Sequence, residues 1–251
     1  MIVFRATIDN DTVAAMPAAR FGGRIVVVDR EEQIEAACRD LSSCDVIGFD
    51  TETRPSFKAG VSHRVSLLLL STDKTCYLFR LNRIRLDNRI LKLLGSNRVR
   101  KVGVDVAGDI RSLHVLRNFK ERGFLDLQKI VSAWGIEEKS LRKMSAIVLG
   151  ERVSKAQRLS NWEANQLTPQ QQIYAATDAW VCIKIYEKLM ATPPLHPIPQ
   201  EVEESQVSAQ EAKASTKESK TQKFKRKNFS RQHLTRRANR HKEEKREQKQ
   251  N

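Results

Sequence analysis

The chain has 251 residues, 40% of them hydrophobic, which is enough for one substantial core plus an appendage and excludes a small disulfide scaffold. Its 45 Lys and Arg outnumber 30 Asp and Glu, and a formal charge of +15 favours a polyanionic partner. The excess is uneven, because residues 191–251 hold 15 basic and 8 acidic residues and almost no large apolar side chains.

Residues 1–23 read as a leader. Arg24–Val28 reads as a short strand, and Asp29 with Glu32 three positions later resembles a capping box opening a helix through Leu41. Apolar runs predict strands over Asp45–Thr51, Arg64–Leu70 and Thr75–Phe79, with Ser71–Lys74 as the turn between the last two. A helix around Leu86–Leu94, a strand at Arg100–Val104 and a helix from Gly108 to Leu116 follow. The remainder is helix-rich, with candidates at Leu127–Trp134 and Leu141–Leu149 and a long final helix beginning at Thr168 and Pro169. Thr168 suits the N-cap, Pro169 the first helical position, and Gln171 the capping-box partner. After residue 190 four prolines interrupt any helix and polar residues dominate, so residues 191–251 read as a Pro-containing linker and a disordered basic tail. Lys220–Asn251 concentrates 13 Lys and Arg against 3 Glu.

Cys38, Cys44, Cys76 and Cys182 form no C-x-x-C pair and have no His at zinc-ligand spacing, so they read as free thiols of a reducing compartment. Asp9 and Asp11 fall where a secretory signal needs an unbroken apolar run, and a cytoplasmic protein is expected. The longest strongly apolar stretch, Val65–Leu70, is too short to cross a bilayer, so no membrane partner is expected.

Three short patterns bear chemistry. Asp50 and Glu52 end an apolar strand in G-F-D-T-E-T, and the two-residue period puts both carboxylates on one face, where they repel unless a hard divalent cation sits between them. Taken alone the pair is weak evidence, and an ordinary solvated strand end is the favoured reading of it. Asp109 lies where a strand runs into a helix start, a position that simple capping also explains. Tyr174 and Asp178, four apart, share a face of the final helix, a commonplace spacing.

Taken in order, D-x-E on a strand, Gly-Asp-x-x-x-Leu at a helix start and Y-x-x-x-D on the last helix resemble the three exonuclease motifs of the DEDD superfamily. The flanking Cys76–Phe79, Phe124–Leu127 and Leu159-Ser-Asn-Trp162 segments are similar to the ribonuclease D and Werner-type exonuclease domain. The tyrosine marks the DEDDy branch. The DEDDh branch places His five residues before the last Asp, whereas position 173 is Ile. Leu69 replaces a frequent Gln, and Asp105 adds a carboxylate ahead of Asp109; the latter is chosen from its Gly-Asp context.

The resemblance implies an α/β domain of the ribonuclease H-like type over residues 24–190, with a mixed central sheet flanked by helices. It implies a 3′-to-5′ exonuclease releasing nucleoside monophosphates, with two divalent cations, Mg²⁺ or Mn²⁺, held about 4 Å apart. Asp50, Glu52, Asp109 and Asp178 would be the metal ligands, and Tyr174 would orient the attacking water. The partner is nucleic acid, either RNA or a single-stranded DNA 3′ end. Lys155 and Arg158 are candidate phosphate contacts, and Trp162 and Phe57 candidate stacking residues, although a solvated face or core packing explains each as well. The competing reading is a nucleic-acid-binding module that keeps the fold without useful catalysis; a weaker one is a phosphoesterase acting on small nucleotides.

Overall fold

The computed structural model describes residues 3–199, so residues 200–251 of the linker and tail expected over 191–251 lie outside the described residues. Among the described residues, a six-stranded mixed sheet is built from β1 (Arg24–Val28), β2 (Val46–Thr53), β3 (Val65–Ser71), β4 (Thr75–Arg80), β5 (Arg100–Gly103) and β6 (Phe124–Asp126). The spatial order is β1-β4-β3-β2-β5-β6. The centre, β4-β3-β2, is antiparallel as expected for hairpin-linked strands, while β1, β5 and β6 join in parallel through helical crossovers. The helices are α1 (Asn10–Ala15), α2 (Glu32–Leu41), α3 (Asn88–Leu94), α4 (Val106–Leu116), α5 (Leu127–Ile130), α6 (Leu141–Leu149) and α7 (Pro169–Met190). A 3₁₀ turn, Val131–Trp134, continues α5.

Every residue of β3 is buried, which explains why its sequence is a continuous apolar run rather than an alternation. Leu68 and Leu70 pack with Ile47 and Phe49 against α2 and α3. Leu67 and Leu69 face the other way, onto Ala175, Ala176 and Ala179 of α7. The register sets Asp50 opposite Leu69 and Glu52 opposite Leu67, so both carboxylates lie on the α7 side of the sheet.

Two local signals read differently in the structure. Asp29 is not a cap; Gln33 reaches back instead, its Oε1 accepting from the Asp29 and Arg30 amides at 3.0 Å. Helix α4 starts two residues earlier than its spacing predicts, because Asp105 adopts a left-handed conformation (φ 57°) and its carbonyl accepts from the Gly108 and Asp109 amides. A carboxylate-bearing residue tolerates that region better than most. At α7 the capping box stands as the sequence reads it, with Thr168 and Gln171 satisfying each other's amides.

The leader and the first linker residues are packed. Ile8, Val13 and Phe21 are buried, Ala19 N–H donates to the Arg152 carbonyl at 2.9 Å, and Trp134 Nε1 donates to the Thr192 carbonyl at 2.7 Å. The backbone amides of Leu195 and His196 then donate to the Ala133 carbonyl. None of the described helices is long and apolar enough to cross a membrane.

Helix α7 approaches β2 so closely that a Cβ at Gly48 would sit 1.9 Å from the Ala179 carbonyl oxygen. Gly48→Ala therefore forces the helix off the sheet. The expected loss is about 3 kcal/mol or more of stability in chemical denaturation, together with any metal affinity that depends on Asp50 and Asp178 being near neighbours.

Candidate active site

Strand β2 supplies Asp50 and Glu52, and α7, lying on the same face, supplies Asp178. Carboxylate oxygens of these three residues all lie within 4.8 Å of one another. Asp178 is 7% exposed, and its Oδ1 has no hydrogen-bond partner. A buried carboxylate oxygen left without a donor costs free energy unless a ligand satisfies it. The approach that brings the acids together uses small residues on both sides, Gly48 on the strand and Ala175, Ala176 and Ala179 on the helix.

Asp109 stands at the edge of this group. It lies in the first turn of α4, and its Oδ1 accepts a hydrogen bond from Thr51 Oγ1 at 2.5 Å. Thr51 is the middle residue of the D-x-E pattern, so alternation turns it to the opposite side of β2 from its acidic neighbours. That hydroxyl is a site residue the sequence reading passed over; the sole signal for it was a hydroxyl between the two acids. Asp126 plays a supporting part, accepting from the Val106 amide at 3.1 Å and the Gln128 amide at 2.9 Å, and so ties the start of α4 to that of α5.

Burial, then the charge of Asp178, raises the Asp50 carboxyl well above its ordinary range. Burial also raises Glu52, helped by Asp50, Asp178 and Asp109. Asp109 is pushed up to about 8 by burial and then Asp50, although the Thr51 hydroxyl opposes the rise. Burial raises Asp178 to about 7 against the opposing hydrogen bond from Tyr174. The Tyr174 phenol, desolvated and facing Asp178 and Glu52, is raised as well, so it remains a protonated donor at neutral pH.

The four candidate nucleic-acid residues divide. Lys155 and Arg158 are exposed on the segment between α6 and α7, and Phe57 is 82% exposed on the loop after β2. Trp162 is fully buried, its ring centroid 6.0 Å from that of Tyr174. Its expected stacking face is therefore taken by the core: it supports Tyr174 from behind rather than meeting a base. Other basic residues of this region are engaged internally, with Lys139 Nζ donating to the Gln128 carbonyl, Lys143 pairing with Glu138, and Arg152 Nε donating to the Met16 carbonyl. The loop carrying Phe57 is held to the far wall, where Arg54 pairs with Glu163 at 3.1 Å and His63 Nδ1 lies 3.9 Å from the same carboxylate.

Residues 25–192 match the sequence model of the 3′-5′ exonuclease family. The chain belongs to that family. It is 34% identical over 186 residues to the bifunctional 3′-5′ exonuclease/ATP-dependent helicase WRN of Mus musculus, covering 69% of this chain but 13% of that protein. A 3′-5′ exonuclease of Arabidopsis thaliana is 28% identical over 196 residues, 70% of this chain and 67% of its own length. The Nibbler exonuclease domain of Aedes aegypti shares the fold with a TM-score of 0.61 at 24% identity, over 67% of this chain and 88% of that one. A Trypanosoma brucei RNase D in complex with RNA U12 has the same TM-score at 21% identity, over 75% and 67%. The chain thus spans only a small part of the mouse relative.

Members of this exonuclease family use divalent metals, and the residues present fit one: an all-oxygen donor set suits a hard cation, and Asp178 Oδ1 is buried without a hydrogen-bond donor of its own. The raised carboxyls carry a testable consequence. An acid whose pKa is higher folded than unfolded binds more protons in the folded state, so its stabilising contribution is present at low pH and is lost as pH rises from about 4 through the folded values. For Asp178 and Asp109 that window extends to about 7 and about 8. In EDTA the melting temperature should fall between pH 5 and pH 8.5, and Mn²⁺ should restore it most at the alkaline end, where its ligands are deprotonated. Asp50→Asn should raise the EDTA stability at pH 8 by about 1 kcal/mol and abolish the Mn²⁺ shift. A pH-independent melting temperature in EDTA would contradict the crowding of these acids.

Proposed function

We propose that this chain is a metal-dependent 3′-to-5′ exonuclease that hydrolyses nucleic acid from a single-stranded 3′ end and releases nucleoside 5′-monophosphates. The observation that carries this reading is the convergence of Asp50, Glu52 and Asp178 within 4.8 Å, beside the phenol of Tyr174. Magnesium or manganese ions, two in number, would supply the positive charge that activates water and offsets the leaving 3′ oxygen. Asp50, Glu52 and Asp178 would hold them, and Asp109, oriented by Thr51, would complete a four-carboxylate set matched to that charge. Tyr174, protonated at neutral pH, donates a hydrogen bond that orients the attacking water rather than removing its proton. Trp162 and the capping box at Thr168 fix the phenol's position by packing and by setting the start of α7.

Lys155 and Arg158 extend a cationic track for the strand's phosphates, and Phe57 offers an open ring for a base. The Trypanosoma brucei RNase D bound to RNA has the same fold, which supports RNA as one substrate class; matched RNA and DNA oligonucleotides decide between the sugars.

The direct test is turnover of a 5′-labelled single strand with Mg²⁺ or Mn²⁺. Asp178→Ala should lower kcat by about a thousand-fold or more, and EDTA should abolish turnover. Tyr174→Phe should lower kcat by about a hundred-fold while leaving the Mn²⁺-induced thermal shift in place. Undiminished turnover in Asp178→Ala would remove the assignment.

The charge of Lys220–Asn251 supports a second, separable role in holding nucleic acid without sequence preference. Deleting residues 200–251 should weaken oligonucleotide binding at low salt and flatten its salt dependence, with kcat at saturating substrate retained. An unchanged salt slope would exclude the tail from binding.

A further inference from the structure

Tyr174 and Asp178 open onto a cavity of about 410 Å³, and one of its walls comes from residues ahead of the family match. Ala19 and Arg20 form that wall, and Ser154 and Gln157 also line the space. Among the described residues, Arg20 is the sole basic side chain lining the cavity.

The backbone around Arg20 is fixed on both sides. Before it, Ala19 N–H donates to the Arg152 carbonyl at 2.9 Å, Arg152 N–H returns a bond to the Pro17 carbonyl at 2.8 Å, and Arg152 Nε donates to the Met16 carbonyl at 3.0 Å. After it, Phe21 N–H donates at 3.0 Å to the Oγ1 of Thr177, the residue next to Asp178. Ala19 and Phe21 are buried while Arg20 between them is exposed, so the segment presents this one side chain to the cavity mouth. Among the described residues the guanidinium pairs with no carboxylate. Nor does it neutralise Asp178, whose Oδ1 has no hydrogen-bond partner. A cation on an anchored backbone, without a carboxylate partner among the described residues and lining a cavity that reaches Tyr174 and Asp178, is suited to an anionic ligand, and a guanidinium fork matches phosphate geometry.

We propose that Arg20 is a substrate-binding residue that pairs with a backbone phosphate of the strand being degraded. This rests on the exonuclease reading and adds to it a contact made from outside the family-matched region. Because the contact is to a phosphate that does not react, it contributes to binding and not to the chemical step. It is also indifferent to base identity.

The test uses the full chain with Mn²⁺ and a 5′-labelled single-stranded oligonucleotide, comparing wild type with Arg20→Ala, Arg20→Lys and Arg20→Glu. Arg20→Ala should raise KM about ten-fold with kcat within about two-fold, Arg20→Glu should raise KM further, and Arg20→Lys should recover most of the affinity. The dependence of log KM on log salt should be shallower by about 0.7 in Arg20→Ala, the increment of one phosphate contact on a single strand. Unchanged KM and salt slope in Arg20→Ala and Arg20→Glu, with wild-type turnover intact, would overturn the inference while leaving the exonuclease reading standing. An Arg20→Lys as poor as Arg20→Ala, with a lowered melting temperature, would assign the loss to packing and overturn it too. A wild type that leaves every oligonucleotide intact would bring down the exonuclease reading, and this inference with it.

Discussion

The structure turns on a conflict between packing and charge. Helix α7 lies against β2 at a distance that only Gly48 permits, and the same approach crowds Asp178 against Asp50 and Glu52. Apolar burial on either side of the sheet supplies the force that holds the crowded acids together. Leu67, Leu69, Ala175, Ala176 and Ala179 are shielded from water on the α7 face, and Leu68, Leu70, Ile47 and Phe49 on the other. The result is a preorganised acidic site in which burial, and after it mutual repulsion, raises the carboxyl pKa values, a local instability of the kind functional sites store.

Two arrangements keep that strain from relaxing. The Thr51 hydroxyl donates to Asp109 Oδ1 and so ties the first turn of α4 to β2 beside Asp50. Arg80, 1% exposed, donates to the carbonyls of Ala164 and Asn165 with its two terminal nitrogens. It thereby pins the segment between Trp162 and the start of α7. Gln171, itself buried, joins the same segment to the helix by donating to the Asn161 carbonyl. A guanidinium buried without a carboxylate is costly, and here the return is a rigid approach to the helix that carries Tyr174 and Asp178.

Much of this was legible from the residues alone. The strands of the central meander announce themselves by uniform apolarity, and the start of α7 by Thr168, Pro169 and Gln171, because those signals arise from local chemistry. Strand and helix periods paired Asp50 with Glu52 and Tyr174 with Asp178, but each pair had an ordinary explanation; what singled them out, with Asp109, was the resemblance of the three ordered motifs to those of the DEDD exonucleases. What escaped depends on long-range contacts. Strand β6 is three residues long, too short to show a period, and exists because it pairs with β5. Trp162 looked available to a base because nothing in its neighbours announces that α7 will cover it. The early start of α4 follows from a left-handed Asp105, a conformation that propensity does not foretell.

The anchoring of residues 16–21 also bears on where this domain can be cut. Ala19 and Phe21 are buried, and the Phe21 amide donates a hydrogen bond to the Thr177 hydroxyl oxygen. A fragment trimmed to the family-matched residues 25–192 would unroof α7 within one residue of Asp178, and would sacrifice about 2–3 kcal/mol of Phe21 burial alone. The family match spans residues 25–192; the physical unit is larger, and the turns of chain ahead of that span are part of the enclosure.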